Sequence, residues 1–184
     1  MNSRPLQPLC GLALCVAAAA AMSQTPTPVA AAASAPAHTR CEAPEQRQFD
    51  FWVGRWNVID TDGSQAGENS IERIDGGCVL IERWRGTEGM TGTSLNSWSA
   101  ATKQWHQHWV DNRGGMLRLA GRLEGRNMVL ASSTPHPRKP GVTVRDRITW
   151  TPLPDGAVRQ WWQRSEDDGA SWTTAFDGRY VRQK

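Results

Sequence analysis

The chain is short of most things that would give it a familiar chemistry. It has three lysines against eighteen arginines, one tyrosine, four histidines and four cysteines in 184 residues. No basic run is longer than Pro137-Arg138-Lys139, and the formal net charge of +3 is spread over interspersed signs. A nucleic-acid partner is therefore not expected. Neither Cys41 nor Cys78 has a second cysteine at close spacing, which argues against a finger or ribbon zinc site. Gly-x-Ser-x-Gly is missing, and with it the nucleophile elbow of the α/β-hydrolases. No apolar run reaches the ~20 residues that a membrane helix needs, and beyond Trp52 no window sustains a helical period.

What is present begins with a leader. Arg4 is followed by an apolar run from Leu9 to Ala21, and Ala21-Met22-Ser23 before Gln24 has the small-x-small form of a signal-peptidase site. A cleaved signal peptide over residues 1–23 and export to the periplasm or beyond are expected. Lipidation fits poorly, because Leu14 and Leu9 precede Cys15 and Cys10 where a lipobox needs a small residue. Residues 24–40 are Thr, Pro, Ala and Ser with almost nothing to bury, as in a flexible tether. The remaining cysteines, Cys41 and Cys78, read as a disulfide in an oxidising compartment, contributing ~3 kcal/mol; two buried thiols are the alternative.

From residue 41 to 184 the pattern is all-β. Alternation of period two marks strands at 53–61, 69–75, 78–86, 90–99, 104–111, 115–123, 126–133, 142–151, 156–165 and 172–182. Turn residues such as Asp62-Gly63, Glu124-Gly125 and Pro154-Asp155-Gly156 separate them. Only Glu42 to Phe49 has the character of a helical turn, opened by Ala43-Pro44. About ten antiparallel strands joined by short turns curl until their edges meet, which predicts a single up-and-down barrel, with a two-sheet sandwich as the alternative. Ser165 to Trp172 matches the Asp-box of sialidase propellers. One copy without a 40–50-residue repeat argues for a structural turn and not a propeller.

Ten tryptophans decide which face is inside. On 104–111, Trp105, Gln107, Trp109 and Asp111 share one side, away from His106 and His108. On 78–86, Glu82 and Trp84 lie opposite Arg83 and Arg85. On 90–99, Ser94, Asn96 and Trp98 form a similar face. These residues predict a Trp-lined interior in which Trp84, Trp98, Trp105 and Trp109 are walls and Glu82, Asn96 and Gln107 orient a small, partly polar ligand. Filling of the interior by the same rings is the competing expectation.

Glu82 is the one acid suited to acid–base chemistry, since burial raises a carboxyl pKa. An ion pair with Arg118, Arg147 or Arg159 is the structural alternative. His106 and His108 form a His-x-His that would need a third ligand to hold zinc, and no cofactor is implied.

Gly54-Arg55-Trp56, entering a first strand after a helical turn, resembles the Gly-x-Trp motif of lipocalins and other calycins. The resemblance implies that Trp56 packs across a closed barrel end beneath an arginine of the last strand, a role that Arg182 matches best. Phe49 to Trp56, Gly77 to Trp84, Trp105 to Asp111 and the Ser165 to Trp172 turn, in this order, resemble the secreted bacterial domain of unknown function 1579. That family implies a calycin-like barrel and brings no activity or catalytic residues. The related nitrobindin-like barrel binds haem through a histidine near the chain end, and this chain has none after His136. Three functions fit: a barrel binding a small apolar or aromatic-containing molecule, an isomerase, hydratase or hydrolase using Glu82, and a non-catalytic envelope protein.

Overall fold

Alternating residues can bury one face of a strand only if the sheet has an interior, and here the sheet makes its own. A computed structural model describes residues 41–184; the expected signal peptide and tether lie outside the described residues. Ten strands run β1 (Gly54–Ile59), β2 (Gln65–Ile74), β3 (Val79–Gly86), β4 (Thr91–Ser99), β5 (Gln104–Asp111), β6 (Met116–Glu124), β7 (Asn127–Pro135), β8 (Thr143–Pro152), β9 (Val158–Ser165) and β10 (Thr173–Arg182). Each pairs antiparallel with its sequence neighbours, and β1 pairs with β10, so the barrel is closed. Closure removes every free sheet edge.

The strands lie where alternation puts them, with one notable difference. β2 starts at Gln65 and not at residue 69. Gln65-Ala66-Gly67-Glu68 carries no branched or aromatic signal, yet it is recruited between β1 and β3. A Cβ on Gly67 would stand 2.4 Å from the Arg85 carbonyl oxygen and 2.8 Å from the Trp84 ring, so this stretch is a strand only because residue 67 is glycine.

One end of the barrel is sealed by the N-terminal segment. A single helical turn, α1 (Pro44–Arg47), starts at Ala43, whose N–H donates to Gln46 Oε1 at 3.1 Å. A 3₁₀ turn, Asp50–Trp52, follows. Phe49 and Trp52 stack at 4.9 Å, Phe49 meets the edges of Trp105 and Trp150, and Trp52 meets Trp150 and Tyr180. Phe49, Trp52, Trp56 and Trp150 are fully buried. At 150–250 Å² each and ~25 cal/mol per Å², every such indole contributes about 4–6 kcal/mol before entropy.

Trp56 lies beneath this plug and donates its indole N–H to the Trp52 carbonyl at 2.9 Å. The Arg182 guanidinium sits 4.3 Å over the Trp56 ring and donates to the Val53 carbonyl at 3.2 Å. Gly54, at φ +147°, leaves room for it: a Cβ there would be 2.5 Å from Arg182 Nη1. Cys41 and Cys78 form a disulfide that ties the plug to the start of β3. Arg73 on β2 reinforces the tie by donating to the Gly77 and Gln46 carbonyls and pairing with Asp50.

The outward positions of β3 carry Arg83 and Arg85, and those of β6 carry Arg118 and Arg122, where a barrel spanning a membrane would present an apolar band. No helix among the described residues is long and apolar enough to cross a membrane.

Candidate functional site

Opposite the plug the barrel is hollow. A cavity of about 400 Å³ is walled by Trp84, Trp109 and Trp162, with Glu82, Gln107, Gln160 and Tyr180 among its polar groups and Asp111 and Arg164 as its further charged ones. Gly115, Met116 and Ala175 line the cavity and are exposed, so it opens between the β5–β6 turn and the start of β10. The walls stand where glycines allow them. Trp109 lies flat over Gly92, where a Cβ would be 2.1 Å from the indole, and Phe176 lies similarly over Gly178 at 2.5 Å. Large rings pressed into gaps left by glycines keep the centre of this half free.

Glu82, Gln107, Gln160 and Tyr180 belong to one connected network. Glu82 accepts from Asn69 Nδ2 at 2.7 Å on one oxygen and from the Ser94 hydroxyl at 2.6 Å on the other. Asn96 Nδ2, at 2.8 Å, and Gln107 Nε2, at 3.4 Å, donate to Ser94 Oγ. On the other side the Tyr180 hydroxyl accepts from Asn69 at 3.4 Å and donates to Gln160 Oε1, which also accepts from Trp150 Nε1 at 3.1 Å. Burial raises the Glu82 pKa above the ordinary glutamate value, opposed by the Ser94 and Asn69 bonds. Burial, and then the Glu82 charge, raises the Tyr180 pKa well above its usual value, keeping the phenol protonated.

A second carboxylate stands nearby. Asp146 on β8 is 2% exposed and accepts from Trp162 Nε1 at 2.7 Å and from Arg164 Nε at 3.0 Å. Arg164 lines the cavity and lies 5.4 Å over the Trp162 ring.

Of the expected site residues, Glu82, Trp84, Gln107 and Trp109 line the cavity together. Asn96 does not; it stands behind Ser94, its Nδ2 also donating to the Leu80 carbonyl at 3.2 Å. Trp98 and Trp105 are not walls either. They are cross-strand partners toward the sealed end, where Trp105 donates to the Glu45 carbonyl at 3.1 Å and packs against Phe49. Alternation gives the correct face for Trp105 but not its height: four residues along a strand separate it from Trp109 by ~13 Å.

Nor does Glu82 pair with any of the three arginines expected near it. Arg118 faces outward, Arg147 donates to Gln163 at 2.9 Å and covers Trp172, and Arg159 pairs with Asp177 at 2.6 Å. No salt bridge among the described residues includes Glu82. His106 shares a 2.8 Å hydrogen bond with Thr102, and His108 is exposed. Among the described residues no group of three His, Cys, Asp or Glu side chains could hold a metal. The Asp-box folds as a turn: Asp167 accepts from the Ser171 N–H at 2.9 Å, and Trp172 donates to the Gly169 carbonyl at 3.1 Å.

Asn69, Asp146, Gln160, Trp162, Arg164 and Tyr180 also belong to the site, although the sequence around them carries no signal for it. On β9 the adjacent pair Trp161-Trp162 satisfies either parity, so alternation leaves open which ring is inside. Asn69 lies in the strand whose start carried no signal.

The raised Glu82 pKa has a testable sign. The native state holds this proton more tightly than the unfolded chain. The associated stabilisation is full below the unfolded value, near 4.5, and is lost as pH rises through the higher folded value. Glu82→Gln is expected to flatten that loss, so its melting temperature should fall less than the wild type's between pH 4 and pH 8. Parallel pH-melting curves would contradict it.

Comparison of the sequence with protein-family models and with curated proteins finds no match.

Proposed function

We propose that the protein is an exported, calycin-like barrel that binds a small apolar or aromatic-containing molecule in the half opposite its plug. The observation that carries this reading is the cavity of about 400 Å³, indole-walled and open at one end, with a fixed polar network along one side. Sites of this size combine apolar walls for affinity with few polar groups for orientation. The calycin likeness is supported by Arg182 over Trp56 at the closed end. Export is supported by the leader sequence and by the disulfide.

Titration of intrinsic tryptophan fluorescence with fatty acids, aromatics and sugars tests the binding reading. Aromatic ligands should quench and shift the emission through Trp84 and Trp109. Gly92→Val should weaken binding on the order of tenfold, or ~1.4 kcal/mol, because its side chain would displace the Trp109 ring. Unchanged emission with every class would overturn the proposal.

A second reading is favoured by one specific observation. Glu82 faces the cavity, has no cationic partner among the described residues and has a raised pKa, which suits a general acid–base in an isomerase, hydratase or hydrolase. Glu82→Gln with an intact fold should then abolish turnover of any substrate found. Unchanged turnover would dismiss this role.

A further inference from the structure

The charge around the cavity leans negative. Three carboxyl groups, Glu82, Asp111 and Asp146, stand in or beside it against two guanidiniums, Arg164 and, acting on Asp111 at the mouth, Arg113. Arg164 is already engaged, paired with Asp146 at 3.0 Å and lying over Trp162. Asp111, at the mouth, is held by the Gly115 N–H at 2.9 Å and by Trp109 Nε1 at 3.2 Å, and these bonds favour its ionised form.

Glu82 is the unusual member. Buried carboxyls are normally neutralised by lysine or arginine, because removing the charge from water is costly. Here both oxygens meet neutral donors only, Asn69 and Ser94, and the side chain lines the cavity. Two of the rings bounding that space, Trp84 and Trp109, have no cation over them among the described residues. Indole faces attract positive charge, more strongly where water is excluded. An anionic ligand would be opposed by Glu82 and Asp111, and a neutral one would gain hydrogen bonds at most, without the charge attraction.

We propose that the ligand of this cavity is an organic cation, an amine or quaternary ammonium whose positive centre meets the Glu82 carboxylate between the Trp84 and Trp109 rings. The proposal rests on the small-molecule-binding reading and names its ligand class.

Three probes separate the two. Benzyltrimethylammonium, neopentylbenzene of the same shape without the charge, and phenylacetate are titrated into the oxidised wild-type protein, with tryptophan fluorescence and calorimetry as readouts. The cation should bind about tenfold more tightly than its neutral isostere, and phenylacetate most weakly. Glu82→Gln, verified as folded by its melting curve, should erase the preference of the cation over its neutral isostere. Equal binding of the cation and its isostere overturns the cation proposal and leaves the cavity reading standing. A preference that survives in folded Glu82→Gln overturns it as well, placing the charge recognition elsewhere. If neither probe binds, the cation proposal falls, and the panel titration alone decides the cavity reading. The wild-type comparison is decisive even where the variant fails to fold.

Discussion

Trp52→Ala should lower the unfolding free energy by about 3–5 kcal/mol. The indole is fully buried at the centre of the plug, stacked on Phe49 and in contact with Trp150 and Tyr180. Its backbone carbonyl also accepts the Trp56 hydrogen bond, so the ring anchors the segment that aligns β1 for closure. The three rings around it, Phe49, Trp150 and Tyr180, are themselves fully packed and cannot collapse into the gap, which puts the cost at the upper part of the range. Against a total stability of ~5–15 kcal/mol this is a large share, and the melting temperature should fall on the order of 10 °C. Trp161→Ala is the contrast. Trp161 lies on the outer face, donating to Thr174 under Arg159, and its loss should cost about 1 kcal/mol. Equal losses from the two variants in urea unfolding would show that the plug is not the keystone of closure.

Removing the disulfide should have the next largest effect. Cys41 and Cys78 are 37 residues apart in sequence and enclose α1, the plug and the first two strands. Restricting a loop of this size in the unfolded chain corresponds to roughly 3–4 kcal/mol. Reduction, or Cys78→Ser, should shift the urea midpoint accordingly and speed hydrogen exchange in the plug before the strands β4 to β9, which the bridge does not span. The Arg73 bonds to Gly77 and Gln46 oppose this loosening. A loss under about 1 kcal/mol would mean that those contacts hold the plug without the bridge.

The parts of the site that were legible are those encoded in alternation. Glu82, Trp84, Gln107 and Trp109 have the correct parity on strands whose outward faces carry Arg83, Arg85 and His108. The parts that were not legible lack a one-dimensional signal. Trp161-Trp162 fits either face. Asn69, on Glu82, comes from the weakly patterned β2, and Tyr180 from a strand more than a hundred residues away. Arg164 is the inward arginine, but its partner is Asp146 on β8 and not Glu82, because the β8–β9 register places those two opposite each other.

Residue order alone therefore determined an all-β pattern of about ten strands, the turns between them, the faces that β3, β4 and β5 bury and the aromatic segment that seals one end. Those features depend on neighbours a few residues apart, and period-two alternation with turn-forming glycines encodes them directly. Only the tertiary structure decided that the sealed end is solid while the other is hollow, and that Glu82 lies in the hollow half without a cation. Height along a barrel axis is set by the stagger of each strand against the next and by the closure that brings Trp56 opposite Arg182. That stagger accumulates around the whole circuit, and no local stretch of sequence contains it.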